Sequence, residues 1–265
     1  MKIDTSKFLV IAGPCLAESR EILQQTVETL LEATANLHIQ FVFKASYRKA
    51  NRTSADSFSG IGDETALGLL KEIRDKYGVP VLTDFHTAEE AAIAANYCDV
   101  LQVPAFLSRQ TDILEAAART GKIVNIKKGQ FMAPEDVGKA ALKVTGAGNE
   151  NVWLTERGVS FGYHDLVVDF RSLVVMKQSG FPVIYDATHS VQQPSIGAQS
   201  GGKREFIPAL ARAAVATGID GIFFETHPDP AKAKSDSATQ LPLQEAGKFL
   251  KGIVELHEFC KSKIF

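Results

Sequence analysis

Eight times along this chain a short apolar or β-branched run gives way to a segment whose apolar residues recur at three- and four-residue spacing. The runs are "FLVIAG" from Phe8, "FVFKAS" from Phe41, "VPVLTDF" from Val79, "VLQVPAF" from Val100, "IVNIKKG" from Ile123, "VWLTERG" from Val152, "PVIYDATH" from Pro182 and "GIFFETH" from Gly221. They lack a polar face, as expected of parallel strands covered on both sides. Segments such as "SREILQQTVETLLEAT" and "PEDVGKAALKVTGA" carry the amphipathic helical pattern, with Ser19 and Pro134 as helix-start residues. A last helical stretch, "LPLQEAGKFLKGIVELHEFCKSK", follows the eighth run. Eight strand–helix units in 265 residues predict an α/β fold, a (β/α)8 barrel of the TIM type, with residues 1–265 as a single domain. A doubly wound open sheet is the alternative, and the regularity of the alternation weighs against it.

Bulk properties narrow the functional classes. A net charge of −2 argues against nucleic acid or an anionic membrane as partner. No apolar run is long enough to span a bilayer. The opening "MKIDTSKFLVIAGPC" is interrupted by Gly13-Pro14 and lacks a small-residue cleavage pattern, so no signal peptide is read. Three widely spaced cysteines, Cys15, Cys98 and Cys260, fit a reducing compartment better than a disulfide framework. A cytoplasmic location is expected.

In such a barrel the working groups sit where each strand ends. Read in order, those positions hold Cys15 and Glu18; Lys44 and then Arg48, Lys49, Asn51, Arg52 and Thr53; Asp84 and His86; Gln102; Lys127 and Lys128; Glu156 and Arg157; Asp186 and His189; Glu225 and His227. Taken singly, a loop cation is usually a solvated charge, a strand-end cysteine a packed thiol, and a strand-end acid a helix cap. Their concentration on one rim of an apolar scaffold points instead to a highly charged ligand, because charges desolvated without partners are costly. Lys44, Lys49, Arg52, Lys127 and Arg157 suit phosphates or carboxylates. Cys15, His189, Glu225 and Asp236 make a donor set suited to a divalent transition metal, although their spacing matches no short local motif. The glycine-rich "SIGAQSGGKREF", Ser195 to Phe206, reads as a loop or lid rather than a phosphate cradle, since P-loop spacing is missing.

The blocks "AGPCLAES", "FKASYRKANRTS", "LTDFH", "LQVPAFLSRQTD", "NIKKGQF", "TERGVSFGYHDLVVD", "DATHSVQ", "SGGKRE" and "ETHPDPAKAKSD" stand in order along essentially the whole chain. Together they resemble the signature blocks of the 3-deoxy-D-manno-octulosonate 8-phosphate synthase family. "KANR" separates them from the related heptulosonate 7-phosphate synthases, which tend to carry a "KPRTS"-like stretch. The resemblance implies a barrel enzyme that condenses phosphoenolpyruvate with D-arabinose 5-phosphate and water, releasing the eight-carbon keto-sugar phosphate and inorganic phosphate. That product serves the lipopolysaccharide inner core, and family members form homotetramers.

By the same resemblance, Lys44, Lys127 and Arg157 hold phosphoenolpyruvate and Lys49 lies between the two substrates. Asn51, Arg52 and Thr53 receive the arabinose phosphate, with Thr53 replacing a commoner serine. Asp84 and Gln192 lie near the sugar, and Gln102 joins the substrate-binding set. Lys49, His189 and Asp84 are the expected catalytic groups. The metal-dependent branch carries cysteine in its first-strand motif where the other branch has asparagine. Cys15 therefore implies a ligand set of Cys15, His189, Glu225 and Asp236 for zinc, iron, manganese, cobalt or cadmium. Two departures stand out: Ser237 follows Asp236 where glycine is common, and Gly129 stands where some relatives have proline. Three other readings compete. One is a sister synthase of the heptulosonate 7-phosphate or sialic-acid type. Another is a Schiff-base aldolase using Lys44 or Lys127. The last is a non-catalytic sugar-phosphate-binding barrel.

Overall fold

A computed structural model describes residues 3–51, 58–195 and 200–264. The eight apolar runs form eight parallel strands: β1 (Phe8–Gly13), β2 (Ile39–Lys44), β3 (Val81–Asp84), β4 (Val100–Val103), β5 (Ile123–Lys127), β6 (Val152–Glu156), β7 (Val183–Asp186) and β8 (Gly221–His227). Each pairs with the next, and β8 pairs in parallel with β1, Gly13 standing opposite Glu225, so the sheet closes into a barrel. Eight helices follow the strands in turn: α1 (Arg20–Thr34), α2 (Asp63–Tyr77), α3 (Ala88–Ala94), α4 (Thr111–Arg119), α5 (Pro134–Gly146), α6 (Arg171–Lys177), α7 (Ile207–Val215) and α8 (Leu243–Lys263). The (β/α)8 expectation holds, and the open-sheet alternative does not. Among the described residues no helix is long and apolar enough to cross a membrane.

Local chemistry starts the helices where the sequence predicts. The Ser19 side chain accepts a hydrogen bond from the Ile22 backbone N–H, capping α1, and Pro134 opens α5 at a position whose N–H has no helical partner. Gly78 ends α2 in the left-handed conformation that glycine adopts without a Cβ penalty.

Side chains along a strand alternate between faces, so each strand serves two cores. Leu9, Ile11, Val42, Leu82, Val100, Trp153, Ile184 and Phe223 form the barrel interior, with Ile3 and Ile123 packed against it. The intervening residues, among them Val10, Phe43, Val81, Leu101, Ile126, Leu154, Tyr185 and Phe224, face the helix layer and meet Leu23, Val27, Leu70 and Leu250. Burying each such large apolar side chain contributes about 1.5–3 kcal/mol. Closure leaves no room at Gly13, where a Cβ would lie 2.0 Å from the Lys44 carbonyl oxygen.

Among the described residues, three short two-residue pairings lie outside the eight expected strands. Val159–Ser160 pairs antiparallel with Leu166–Val167 in the loop after β6, and Leu241–Pro242 runs parallel to the end of β8. In the loop after β7, Gln192–Gln193 pairs antiparallel with Gly201–Gly202. The glycine-rich stretch read as a loop or lid thus returns along a ribbon, and residues 196–199 at its centre lie outside the described residues.

Candidate active site

The two-residue strand period that fills the barrel with apolar side chains also builds the site. Two positions beyond Val42, Leu82, Val100, Ile184 and Phe223 stand Lys44, Asp84, Gln102, Asp186 and Glu225, at the C-terminal ends of their strands. The side chains that continue the interior stack upward are therefore polar, and Lys44, Asp84, Gln102 and Glu225 among them floor a cavity of about 650 Å3 at the barrel mouth. Of the residues predicted from sequence, Lys44, Lys49, Asn51, Asp84, Gln102, Lys127, Arg157, His189, Gln192, Glu225 and Asp236 all line it. Arg52 and Thr53 lie outside the described residues. Cys15 is fully buried against the cavity's Asp236 and Ser235.

One side of the cavity is a sulfur and carboxylate corner. Cys15 Sγ donates to Asp236 Oδ2 at 3.0 Å and lies 3.1 Å from Ser235 Oγ, while its backbone N–H donates to Gln240 Oε1 at 3.1 Å. Glu225 is fully buried; its Oε1 accepts from Lys44 Nζ at 2.5 Å, and its Oε2 has no hydrogen-bond partner among the described residues. Ligand atoms of Cys15, Glu225 and Asp236 lie within 4.8 Å of one another. His189 stands outside that tightest set. Its Nε2 is 3.8 Å from both Glu225 Oε1 and Asp236 Oδ2, and its Nδ1 is 2.9 Å from Asp186 Oδ2.

Burial pushes the Cys15 thiol well above its ordinary pKa, and the charges of Asp236 and Glu225 push the same way. Burial works against ionised Glu225 too, but Lys44 and His189 outweigh it and bring that carboxyl down to about 2. A thiol, ionised carboxylates and a buried, unpartnered Glu225 oxygen converge on one point. That donor chemistry fits a divalent cation, whose charge would stabilise the thiolate that the protein alone disfavours. Cys15, Glu225 and Asp236 are thus a candidate metal site, with His189 as the adjacent nitrogen donor.

The left-handed backbone in this corner belongs to Asp236 itself, at φ 46°, while Ser237 has no positive φ. The serine after Asp236 therefore occupies a conformation open to any residue, and the glycine common in relatives is not demanded at that position.

Cations make up the opposite side. Lys127 Nζ is ion-paired with Asp186 and sits 3.9 Å from the centroid of the Phe223 ring. Arg157 is buried; its Nη2 donates to Gln192 Oε1 at 3.1 Å, while its Nη1 has no partner among the described residues. Burial lowers the pKa of both Lys127 and Arg157, with Asp186 the main opposing charge in each case. Burial opposes the charge on Lys49 as well, but the acidic groups around it, Glu225, Asp84 and Asp236 among them, hold this lysine above its usual range. Asp84 Oδ2 lies 3.2 Å from His86 Nε2, and Asp84 Oδ1 is buried without a partner among the described residues. Burial raises Asp84, yet the His86 hydrogen bond and Lys49 bring it below the ordinary carboxylate range.

Several groups important to this geometry had no assigned role in the sequence reading. Asp186 accepts from Lys127 and from the backbone N–H groups of Thr188 and His189, and so orients both functional side chains. Gln240 and Ser235 fix Cys15, and Ser46 presents to the cavity a buried hydroxyl with no partner among the described residues. Lys128, expected only as a rim cation, is buried 3.5 Å from Glu156 and donates to the Met132 carbonyl, tying down the loop after β5. Strand-end polarity marked Asp186; nothing local marked Ser235 or Gln240.

Comparison with known proteins agrees with this geometry. The model of the DAHP synthetase I family matches residues 2–262. The chain is 54% identical over 256 residues to a 2-dehydro-3-deoxyphosphooctonate aldolase of Rhodopseudomonas palustris strain BisB5, covering 96% of this chain and 89% of that protein. It is 52% identical over 258 residues to the protein of that name from Trichlorobacter lovleyi, covering 97% and 95% respectively. A third, from Nitrobacter winogradskyi, is 52% identical over 255 residues, covering 96% of this chain and 89% of that protein.

Proposed function

This chain belongs to the DAHP synthetase I family, among its 2-dehydro-3-deoxyphosphooctonate aldolases, and from that premise we propose that it condenses phosphoenolpyruvate with D-arabinose 5-phosphate and water. The products are 3-deoxy-D-manno-octulosonate 8-phosphate, a precursor of the lipopolysaccharide inner core, and inorganic phosphate. One observation carries the reading beyond the family: a single cavity joins a cationic side, with the unpartnered Arg157 Nη1, to a thiol–carboxylate side, with the unpartnered Glu225 Oε2. The two substrates bring roughly five negative charges. Lys44, Lys49, Arg52, Lys127 and Arg157 answer them.

In this assignment Arg157 and Lys127, with Lys44, hold the phosphoenolpyruvate phosphate and carboxylate, and orient its C3 toward the sugar aldehyde. Asn51, Arg52 and Thr53 take the phosphate of the arabinose, and Gln102 lines the wall between. The enol C3 attacks the aldehyde carbon while water adds at C2. The new alkoxide gains a proton and the added water loses one to become a C2 hydroxyl; the C2–O bond to phosphate then breaks as that hydroxyl becomes the ketone, its proton leaving with the phosphate. Lys49 is charged and half-buried between the acidic groups, suited to donate toward the developing alkoxide. Asp84, ionised beside His86, is suited to orient a water or sugar hydroxyl as a hydrogen-bond acceptor, and Asp186 holds the His189 ring in place through Nδ1. Cys15, His189, Glu225 and Asp236 would hold a divalent ion of zinc, iron, manganese, cobalt or cadmium, which when bound supplies Lewis-acid polarisation of an oxygen.

The Schiff-base reading fares worse. Lys44 is ion-paired with Glu225 and Lys127 with Asp186, so each Nζ is engaged by a carboxylate rather than free to attack a carbonyl. We further propose that residues 1–265 are one catalytic domain in the cytoplasm, and that the enzyme is a homotetramer. Exposed Phe131, Phe161 and Tyr163 on the loops after β5 and β6 offer apolar area for such contacts.

The test is phosphate release from phosphoenolpyruvate with a panel of aldose phosphates and N-acetylmannosamine, before and after chelation, with divalent ions restored. Release only with arabinose 5-phosphate, lost on chelation and recovered with metal, is expected. Preference for erythrose 4-phosphate or the amino sugar would make this a sister synthase. Borohydride-trapped substrate on a lysine would make it an aldolase, and binding without release a sugar-phosphate-binding barrel.

A further inference from the structure

Arg157, Gln192, Asp236 and Cys15 come from the loops after β6, β7, β8 and β1, yet they form one unbroken hydrogen-bonded row. Arg157 Nη2 donates to Gln192 Oε1 at 3.1 Å, Gln192 Nε2 donates to Asp236 Oδ1 at 2.8 Å, and Cys15 Sγ donates to Asp236 Oδ2 at 3.0 Å. A guanidinium only donates and a carboxylate only accepts, so the amide has one possible orientation. Gln192 is nine-tenths buried, and its oxygen and nitrogen are both engaged by protein. At one end of the row the Arg157 Nη1 is buried and open to an anion; at the other, Asp236 keeps a left-handed backbone that a non-glycine residue holds only when its surroundings dictate it.

We propose that Gln192 is a positioning residue that couples the two sides of the cavity, so that phosphoenolpyruvate and a divalent cation each tighten the binding of the other. The inference rests on the proposed function for the identity of the anion. An anion on Arg157 Nη1 fixes the guanidinium, the guanidinium fixes the amide, and the amide holds Asp236 with Oδ2 directed at Cys15. The first ligand orders the row; the second finds it already ordered. Linkage requires the effect to be equal in both directions, and a short side-chain row of this kind supports a factor of about 5–10. Direct attraction between bound cation and bound anion adds to the coupling but does not pass through Gln192.

The experiment is equilibrium dialysis of Mn2+ against the chelated, full-length protein, with and without phosphoenolpyruvate and with no sugar present, so that nothing turns over. It is run on wild type, on Gln192→Met, which keeps length and removes both hydrogen bonds, and on Gln192→Glu, which keeps the acceptor for Arg157 but turns a repelling carboxylate to Asp236. Phosphoenolpyruvate should tighten Mn2+ in wild type, and that tightening should fall about 5–10-fold in both variants. Wild-type coupling retained in either folded variant overturns the proposal, as does, in parallel steady-state assays, a change confined to the KM for arabinose 5-phosphate, which would make Gln192 a sugar contact. A wild type that binds both ligands without coupling overturns the role of Gln192 alone. One that binds neither overturns the proposed function together with it.

Discussion

Replacing Asp186 by asparagine should destabilise the protein markedly, and phosphoenolpyruvate should reverse part of the loss. Asp186 is fully buried and accepts from Lys127 Nζ, from the backbone N–H groups of Thr188 and His189, and faces His189 Nδ1 at 2.9 Å. The asparagine side chain is close to isosteric and can keep one or two of these bonds, but it leaves the buried Lys127 charge without its counter-ion. Removing one partner of a buried pair costs about 3–5 kcal/mol. The Phe223 ring beneath Lys127 is present in both proteins and offsets none of this loss. A loss near 3–5 kcal/mol follows, and at about 2–4 °C per kcal/mol for a large domain the Tm should fall by roughly 6–20 °C. An anion bound at Lys127 supplies the missing charge, so saturating phosphoenolpyruvate should raise the Tm of D186N by more than it raises wild type. Differential scanning calorimetry of both proteins, with and without the ligand, measures all four values. A fall of less than about 2 °C, or equal ligand shifts in the two proteins, would refute the view that Asp186 balances Lys127.

Three other outcomes follow from the same geometry. Cys15→Ala should lose metal on dialysis, with occupancy read by elemental analysis, and its activity should fall by more than about tenfold, since even indirect ligand supports cost 10–100-fold; full retention of metal would return Cys15 to a packing role. Arg157→Lys removes the planar donor that serves Gln192 and leaves Nη1 open, so the KM for phosphoenolpyruvate should rise by about 10–150-fold, the equivalent of 1.5–3 kcal/mol, with a much smaller change for the sugar phosphate. The third concerns acid. Glu225 is brought from 4.5 to about 2, and Asp84 and Asp186 are also depressed. Groups with depressed folded values add stability above their unfolded pKa and lose it as pH falls toward the folded one. Thermal stability of the metal-free protein should therefore drop between about pH 4.5 and 2, and E225Q should show a shallower drop over that window; an equal slope would remove Glu225 as a contributor.

Much of this was legible in the chain because it depends on short-range periodicity. All eight runs became strands, with boundaries moved by up to three residues: the second begins at Ile39 rather than Phe41, and the third at Val81 rather than Val79. Position relative to a strand end also foretold which polar residues would line the mouth, since inward positions recur every second residue. The resemblance to a known family supplied roles that spacing alone left open, above all for Cys15. What could not be read were the partners. The row from Arg157 to Cys15 joins residues 35, 44 and 221 positions apart, and it forms only because β8 closes on β1 with Gly13 opposite Glu225. Gln192 was expected beside a sugar, while its amide is held by Arg157 and Asp236; Ser235 and Gln240 were unmarked, although both fix Cys15. The sequence by itself determined the strands, the helices and the charge collected at one rim, because hydrophobic alternation and helix capping act between near neighbours. Tertiary structure alone decided which donor meets which acceptor, because barrel closure sets the distances between loops that the chain keeps far apart.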